Sequence, residues 1–167
     1  SHARNVHYVF NGPQDNIFVN DQVFKGEDEK TYVLNALDIS REYIELTVGE
    51  PHSFVVAEAG KTVKDALFEA EAFTLEAAHN YALAIMGNVD SKGLHFQLLD
   101  ETAALAKYDT NVSAVSFVVN NLQGLPALDF YWAGNLILDN FAYGDALAVQ
   151  DPTSGIGSKL TPHGDPN

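Results

Sequence analysis

The chain contains no cysteine and few basic residues. Its 167 residues include 9 Lys and Arg against 23 Asp and Glu, which gives a formal net charge of −14. Without cysteine the chain has no disulfides, thiolate metal sites or thiol catalysis. Nucleic acids and anionic membranes are bound by clustered positive charge. We therefore predict no nucleic-acid partner.

Long apolar runs are missing as well. No stretch approaches the roughly 20 residues that a membrane-spanning helix needs, so we predict no transmembrane segment. Hydrophobic residues nevertheless make up 46% of the chain, which is enough for a real core and argues against disorder. A chain of this length can hold one large domain, or one domain and part of another.

The clearest positive feature is a strand-like pattern that occurs twice. Residues 6–11, a Gly-Pro turn and residues 16–24 are echoed by residues 115–120, a second turn and residues 129–137. Both copies predict a strand, a polar turn, a strand, a tight turn and a short strand. The second copy has too little chain to finish a domain. We therefore expect open sheet edges that another segment completes.

One segment combines helix propensity with strand periodicity. Residues 64–72 favour a helix by composition, but Tyr81, Leu83 and Ile85 recur with a period of two. We predict two strands here, joined by a turn near residues 76–80. Regularly spaced short strands of this kind are typical of an all-β sandwich.

Three predicted parts follow from these patterns. Residues 1–107 form a complete β-sandwich domain, residues 108–150 form a partial second repeat, and residues 151–167 form an extended tail. The tail is rich in Gly, Pro and Ser and has no periodic apolar face, which indicates an extended segment or a linker.

Several motifs resemble the domain of unknown function 4397 family of bacterial and archaeal cell-envelope proteins. Residues 126–134 and 141–145 are similar to signature steps of its repeats, and residues 75–83 resemble its hairpin. The resemblance covers most of residues 4–148. It implies tandem Ig-like β-sandwich repeats and an extracellular or cell-surface location, and it brings no active site with it.

No catalytic motif is present, so we predict that the chain is not an enzyme. The six histidines show no His-x-x-x-His or His-Glu-x-x-His spacing, and a Gly-x-Ser-x-Gly elbow is absent. Aspartates in predicted turns are candidate calcium ligands, because calcium takes six to eight oxygens, often from loops. These candidates are Asp15, Asp21, Asp129 and Asp139. The simpler alternative is that they stabilise tight turns.

Aromatic residues supply the candidate binding surface. Phe130, Tyr131 and Trp132 are consecutive, so at least one faces outward if they lie on a strand, and Tyr143 follows nearby. Trp132 is a candidate sugar-stacking platform, a core residue, or an anchor against whatever completes the half-domain.

Two functions are open at this point. The first is an extracellular structural protein that self-associates into a filament or matrix by strand exchange between subunits. The second is a non-catalytic adhesion module for glycans or envelope components, assisted by calcium. We expect no other cofactor.

Overall fold

Strands make up most of the described structure. The computed structural model describes residues 1–10, 12–25, 30–31, 33–35, 38–40, 42–90, 93–108, 115–150 and 158–164. The chain divides into two compact units, Ser1–Thr102 and Ala103–Asn167, here called unit 1 and unit 2. Across these ranges, no helix is long and apolar enough to cross a membrane.

Unit 1 is built from two sheets. Its strands are β1 (His2–Phe10), β2 (Asp15–Val19), β3 (Gln22–Val23), β4 (Val33–Leu34), β5 (Ile44–Glu45), β6 (Phe54–Glu58), β7 (Ala66–Glu69), β8 (Asn80–Asn88) and β9 (His95–Asp100). A 3-10 turn, Val63–Asp65, precedes β7. One sheet has the order β5-β1-β8-β9, and the other has β3-β2-β6-β7 with β4 also paired to β2. β1 and β8 are parallel, and the other pairs are antiparallel.

Alternating apolar residues from both sheets of unit 1 form its larger hydrophobic core. β8 contributes Tyr81, Leu83 and Ile85, while β6 contributes Phe54 and Val56. Successive side chains of a strand point to opposite faces, so a period of two places these residues together. All five are at most 4% exposed. Their burial is the main apolar stabilisation of unit 1.

The segment with mixed propensity forms strands, so that prediction is confirmed. β7 pairs with β6, and β8 lies between β1 and β9. The chain turns at residues 77–78, where Ala78 has a φ of 63°. Sheet pairing and burial outweigh the local helix propensity, as tertiary context often does.

Unit 2 contains two smaller sheets. The helix α1 (Glu101–Lys107) begins in unit 1 and ends in unit 2. The strands are β10 (Val115–Val119), β11 (Leu128–Trp132), β12 (Asn135–Phe141), β13 (Ala146–Gln150) and β14 (Ser158–Pro162). β10 pairs with β13, and β12-β11-β14 form a three-stranded sheet. Ala133 and Gly134 join β11 to β12 with φ values of 50° and 80°, as a tight two-residue hairpin requires.

β14 lies in the segment that the sequence predicted to be an extended tail. It pairs with β11 over five residues, from Leu128 opposite Pro162 to Trp132 opposite Ser158. The unit boundary follows Thr102, whereas the sequence placed it after residue 107. Residues 151–157 and 165–167 of the tail lie outside the described residues. The prediction of an all-β chain is confirmed apart from one short helix, while Ig-like topology and the repeat relationship stay predictions.

Candidate metal centre

Three side chains that can bind a metal converge in unit 2. Asp129 comes from β11, Asp139 from β12, and His163 from the turn after β14. One possible ligand atom of each lies within 4.8 Å of the others. Two of the four predicted calcium candidates are therefore brought together, and a histidine joins them.

A β-bulge in β12 places two residues opposite Asp129. Leu128 pairs with Phe141 and Phe130 pairs with Leu138, so both Asp139 and Asn140 face the single residue between them. Asn140 has a φ of 54°, and its N–H donates to Asp129 Oδ1 at 3.0 Å. Bulges re-aim side chains locally. This one lets Asp139 reach the same histidine as Asp129.

His163 contacts both carboxylates through one ring nitrogen. Its Nδ1 lies 2.9 Å from Asp129 Oδ1 and 3.1 Å from Asp139 Oδ1. Its backbone N–H donates to Ala127 O at 2.9 Å, and Gly164 N donates to Asp129 Oδ2 at 3.3 Å. The Asp129 side chain is 7% exposed, against 67% for Asp139 and 45% for His163. The cluster is anchored at Asp129 and open to solvent on its other side.

The hydrogen bonds shift the pKa of both partners. The Asn140 N–H, followed by His163, lowers the pKa of Asp129 to about 2. The hydrogen bond to Asp129 raises the pKa of His163 above its ordinary value of 6.5. The pair of a protonated His163 and an ionised Asp129 is therefore stabilised in the metal-free state.

We expect the stability of unit 2 to fall as the pH rises above 6.5, the ordinary pKa of His163. Because the pKa of His163 is raised, its contribution is complete below 6.5 and is lost as the pH rises through the folded value. Asp129 contributes to the stability at a pH above its ordinary pKa of 3.8. This contribution is lost as the pH falls towards its folded pKa of about 2. Trp132, the only tryptophan, lies on β11, so its fluorescence reports the unfolding of unit 2.

The control for this pH dependence is His163→Gln, which cannot carry the charge. Its unfolding midpoint, followed by Trp132 fluorescence in a chelator, should decline less than that of the wild type over the same range. Parallel pH profiles for the two proteins would contradict the prediction.

The other two calcium candidates lie in unit 1. Asp15 on β2 is buried, and its Oδ2 lies 2.7 Å from His7 Nε2. Asp21 is exposed in the turn between β2 and β3, with a φ of 61°. Neither joins a group of metal-binding side chains within the described ranges.

Asp15 belongs to a polar cluster inside the core of unit 1. On β1, Asn5 and His7 share one face of the strand with Ala3 and Val9, because alternate side chains point the same way. Asn5, His7 and Asp15 are at most 1% exposed. Within the described part of the chain, Asp15 Oδ1, His7 Nδ1 and both polar atoms of the Asn5 side chain lack hydrogen-bond partners. The ionisable pair His7 and Asp15 is therefore buried, with Asn5, among apolar side chains of the core.

The predicted aromatic surface is divided between two faces of β11. Phe130 and Trp132 share one face, with ring centroids 6.2 Å apart in an edge-to-face arrangement, and Tyr131 points to the other. All three are half-buried. Tyr143 lies in the loop between β12 and β13, where burial raises its pKa. Edge-to-face pairs are a packing geometry, unlike the flat open ring on which a sugar stacks.

His163 is the member of the cluster that the sequence did not predict. It lies 34 residues from Asp129, in the predicted tail, and forms no metal-binding spacing with any neighbour. His163 reaches Asp129 because β14 pairs with β11. Since β14 is a short strand of low periodicity, the sequence does not predict this pairing. The preceding Thr161-Pro162 at a strand end and the following Gly164 in a turn are the only local signals.

No protein-family model matches the chain, and a search of curated proteins finds no match.

Proposed function

We propose that this chain is a non-catalytic structural protein that assembles by strand exchange through unit 2. One observation carries the proposal: the leucines of the two units differ in exposure. Eight of the nine leucines of unit 1 lie within the described residues, and none of those eight is exposed. In unit 2, by contrast, the exposed leucines are Leu105, Leu122, Leu125, Leu136 and Leu147.

The exposed area is large enough to matter but too small to drive assembly alone. The five leucines are 43–53% exposed. Covering a half-exposed leucine is worth roughly 1 kcal/mol, so covering all five gives about 5 kcal/mol. Association itself costs about 4–15 kcal/mol. Backbone pairing must therefore contribute, which favours an added or exchanged strand over simple surface contact.

β14 is the strand that we propose to exchange. Its five-residue register with β11 is made between segments of one chain, and the same register between two copies satisfies the same backbone groups. An exchange of identical elements is a low-cost route to oligomers for this reason. When each copy donates to the next and the rotation does not close, a filament results. Phe130 and Trp132 lie on the receiving strand, where the sequence predicted interface residues.

An engineered disulfide tests strand exchange cleanly, because the chain has no cysteine of its own. Tyr131 and Lys159 are register partners on β11 and β14, so we replace both by cysteine. Paired cysteines on adjacent strands meet the distances that a disulfide needs. After oxidation of assembled protein, we expect a ladder of cross-linked chains on a non-reducing denaturing gel.

The matched control is a cysteine pair within unit 1. Ala84 and Gln97 are register partners on β8 and β9, so Ala84→Cys with Gln97→Cys should cross-link only within one chain. Light scattering of the wild type comes first, at two salt concentrations, because a net charge of −14 opposes contact between copies at low salt. A monomer at every salt concentration, or only intrachain cross-links between residues 131 and 159, would overturn the proposal.

A second candidate is a non-catalytic adhesion module that uses a cation to bind glycans or envelope components. The convergence of Asp129, Asp139 and His163 favours the cation part of this function. A strictly monomeric chain that binds glycans only with a cation present would favour it over assembly. The extracellular or cell-surface location of either function rests on the resemblance to the cell-envelope family.

A further inference from the structure

We infer that Asp129, Asp139 and His163 bind a first-row divalent transition-metal ion, such as zinc. The site forms within unit 2 of one chain, and it also forms between two copies when β14 is exchanged, because His163 follows that strand. It joins two neighbouring strands, β11 and β12, to the turn that follows β14.

The spacing of the ligand atoms matches a shared ion. His163 Nδ1 is 2.9 Å from Asp129 Oδ1 and 3.1 Å from Asp139 Oδ1. Zinc binds nitrogen and carboxylate oxygen at about 2.0–2.2 Å, which places adjacent ligands about 3.0–3.5 Å apart. Two of the three ligand–ligand distances therefore fit a shared ion once His163 has lost its proton, and the third is at most 4.8 Å.

A buried hydroxyl beside the cluster points independently to a ligand. Thr161 is the register partner of Asp129, so the two side chains lie on the same face of the sheet. Thr161 is 5% exposed, and its Oγ1 has no hydrogen-bond partner in the described residues. Buried hydroxyls nearly always have a partner, which is here a bound ion or the water that it carries.

Backbone N–H groups orient the Asp129 carboxylate without a bound ion. Asn140 N donates to Oδ1 and Gly164 N donates to Oδ2, so the carboxylate is oriented from both sides. Ligands oriented in this way lose little freedom on binding. Asp139 and His163 are exposed, which gives an ion access and leaves positions for water.

The donor set favours a transition metal over calcium. Calcium takes six to eight oxygens at 2.3–2.6 Å, and this cluster presents one imidazole nitrogen with two carboxylates. Imidazole suits zinc, copper, iron and nickel, whereas oxygen-only sets suit magnesium and calcium. We therefore assign the site to a zinc-like ion.

Unit 1 contains a matched control for this chemistry. His79 also contacts two carboxylates, but through different ring nitrogens: Nδ1 is 2.6 Å from Asp100 Oδ2, and Nε2 is 3.9 Å from Glu76 Oε2. One ion cannot reach both sides of an imidazole ring. A His79→Ala variant removes a histidine with acidic neighbours and should leave zinc binding unchanged.

The test is calorimetric titration of the chelator-treated full chain with zinc chloride, repeated with calcium chloride. We expect one saturable zinc site, weakened at least about tenfold by His163→Ala and by Asp139→Ala. Zinc should also raise the unfolding midpoint that Trp132 fluorescence reports, because the ion links β11, β12 and the turn after β14. Calcium should give neither effect.

Asp139→Ala keeps the test decisive, because an exposed side chain is replaced and the variant is expected to fold. Its folding is checked by Trp132 fluorescence without metal. Absence of zinc binding, zinc binding that both variants retain, or a preference for calcium would each overturn the assignment.

Discussion

Replacing Asp15 by alanine is expected to lower the free energy of unfolding by about 3–5 kcal/mol, because the substitution leaves His7 buried without its partner. The two side chains are 0% and 2% exposed, and His7 Nε2 lies 2.7 Å from Asp15 Oδ2. Asn5 is equally buried on the same face of β1, and both polar atoms of its side chain lack hydrogen-bond partners in the described residues. A single domain is stable by about 5–15 kcal/mol, so this loss is a large fraction of the total. Denaturant unfolding followed by far-ultraviolet circular dichroism measures it.

The matched control for Asp15 is a similar pair with more solvent around it. His79 Nδ1 and Asp100 Oδ2 are 2.6 Å apart, but their side chains are 24% and 27% exposed. We expect Asp100→Ala to cost about 1 kcal/mol or less, since solvent screens an exposed pair. The apolar double variant His7→Leu with Asp15→Leu should recover most of the stability lost in Asp15→Ala. Equal losses in Asp15→Ala and Asp100→Ala would show that burial is not the cause.

Replacing Gly87 by alanine is expected to cost about 3 kcal/mol or more, because the new methyl group meets backbone. An added Cβ would lie 2.1 Å from Gly93 O and 2.9 Å from Gly93 C. Gly87 also has a φ of 114°, which L side chains rarely adopt. Backbone cannot move aside as the end of a flexible side chain can, so the end of β8 or the start of β9 must shift. The thermal unfolding midpoint of the full chain measures the loss.

Gly60 separates the two causes at Gly87. It has a φ of 82°, and a Cβ added there meets nothing within 4 Å. Gly60→Ala therefore tests backbone strain alone, at about 1–2 kcal/mol. If Gly87→Ala is as stable as Gly60→Ala or more stable, the predicted clash with the Gly93 backbone is contradicted.

Strand periodicity in the sequence predicted secondary structure correctly. The alternation of Tyr81, Leu83 and Ile85 predicted a strand where composition favoured a helix, and seven of the nine residues of β8 are buried. The hairpin residues Ala133 and Gly134 were likewise readable as a turn, because a two-residue turn needs positive φ. These predictions succeed because period and turn chemistry are local properties of the chain.

The sequence predicted only the two aspartates of the metal cluster, Asp129 and Asp139, as ligands. Asp129 and Asp139 were candidates because they lie at predicted turns, and Asp15 was a candidate for the same reason. The bulge at Asn140 directs Asp139 towards Asp129, while strand alternation places Asp15 in the core against His7. A position in a predicted turn does not tell whether an aspartate joins the metal cluster or the core, because it carries no information on which strand is its neighbour.

By itself the sequence determined the charge, the absence of thiol chemistry and the strand-rich class, since all three depend on composition or on patterns a few residues long. The tertiary structure alone decided that β14 returns to β11 and carries His163 to two aspartates more than twenty residues away. It also decided that His7 and Asp15 meet in the core and that five leucines of unit 2 remain exposed. Contacts of this kind depend on which distant segments pair. Pairing is chosen by the burial and hydrogen bonding of the whole fold rather than by any local pattern.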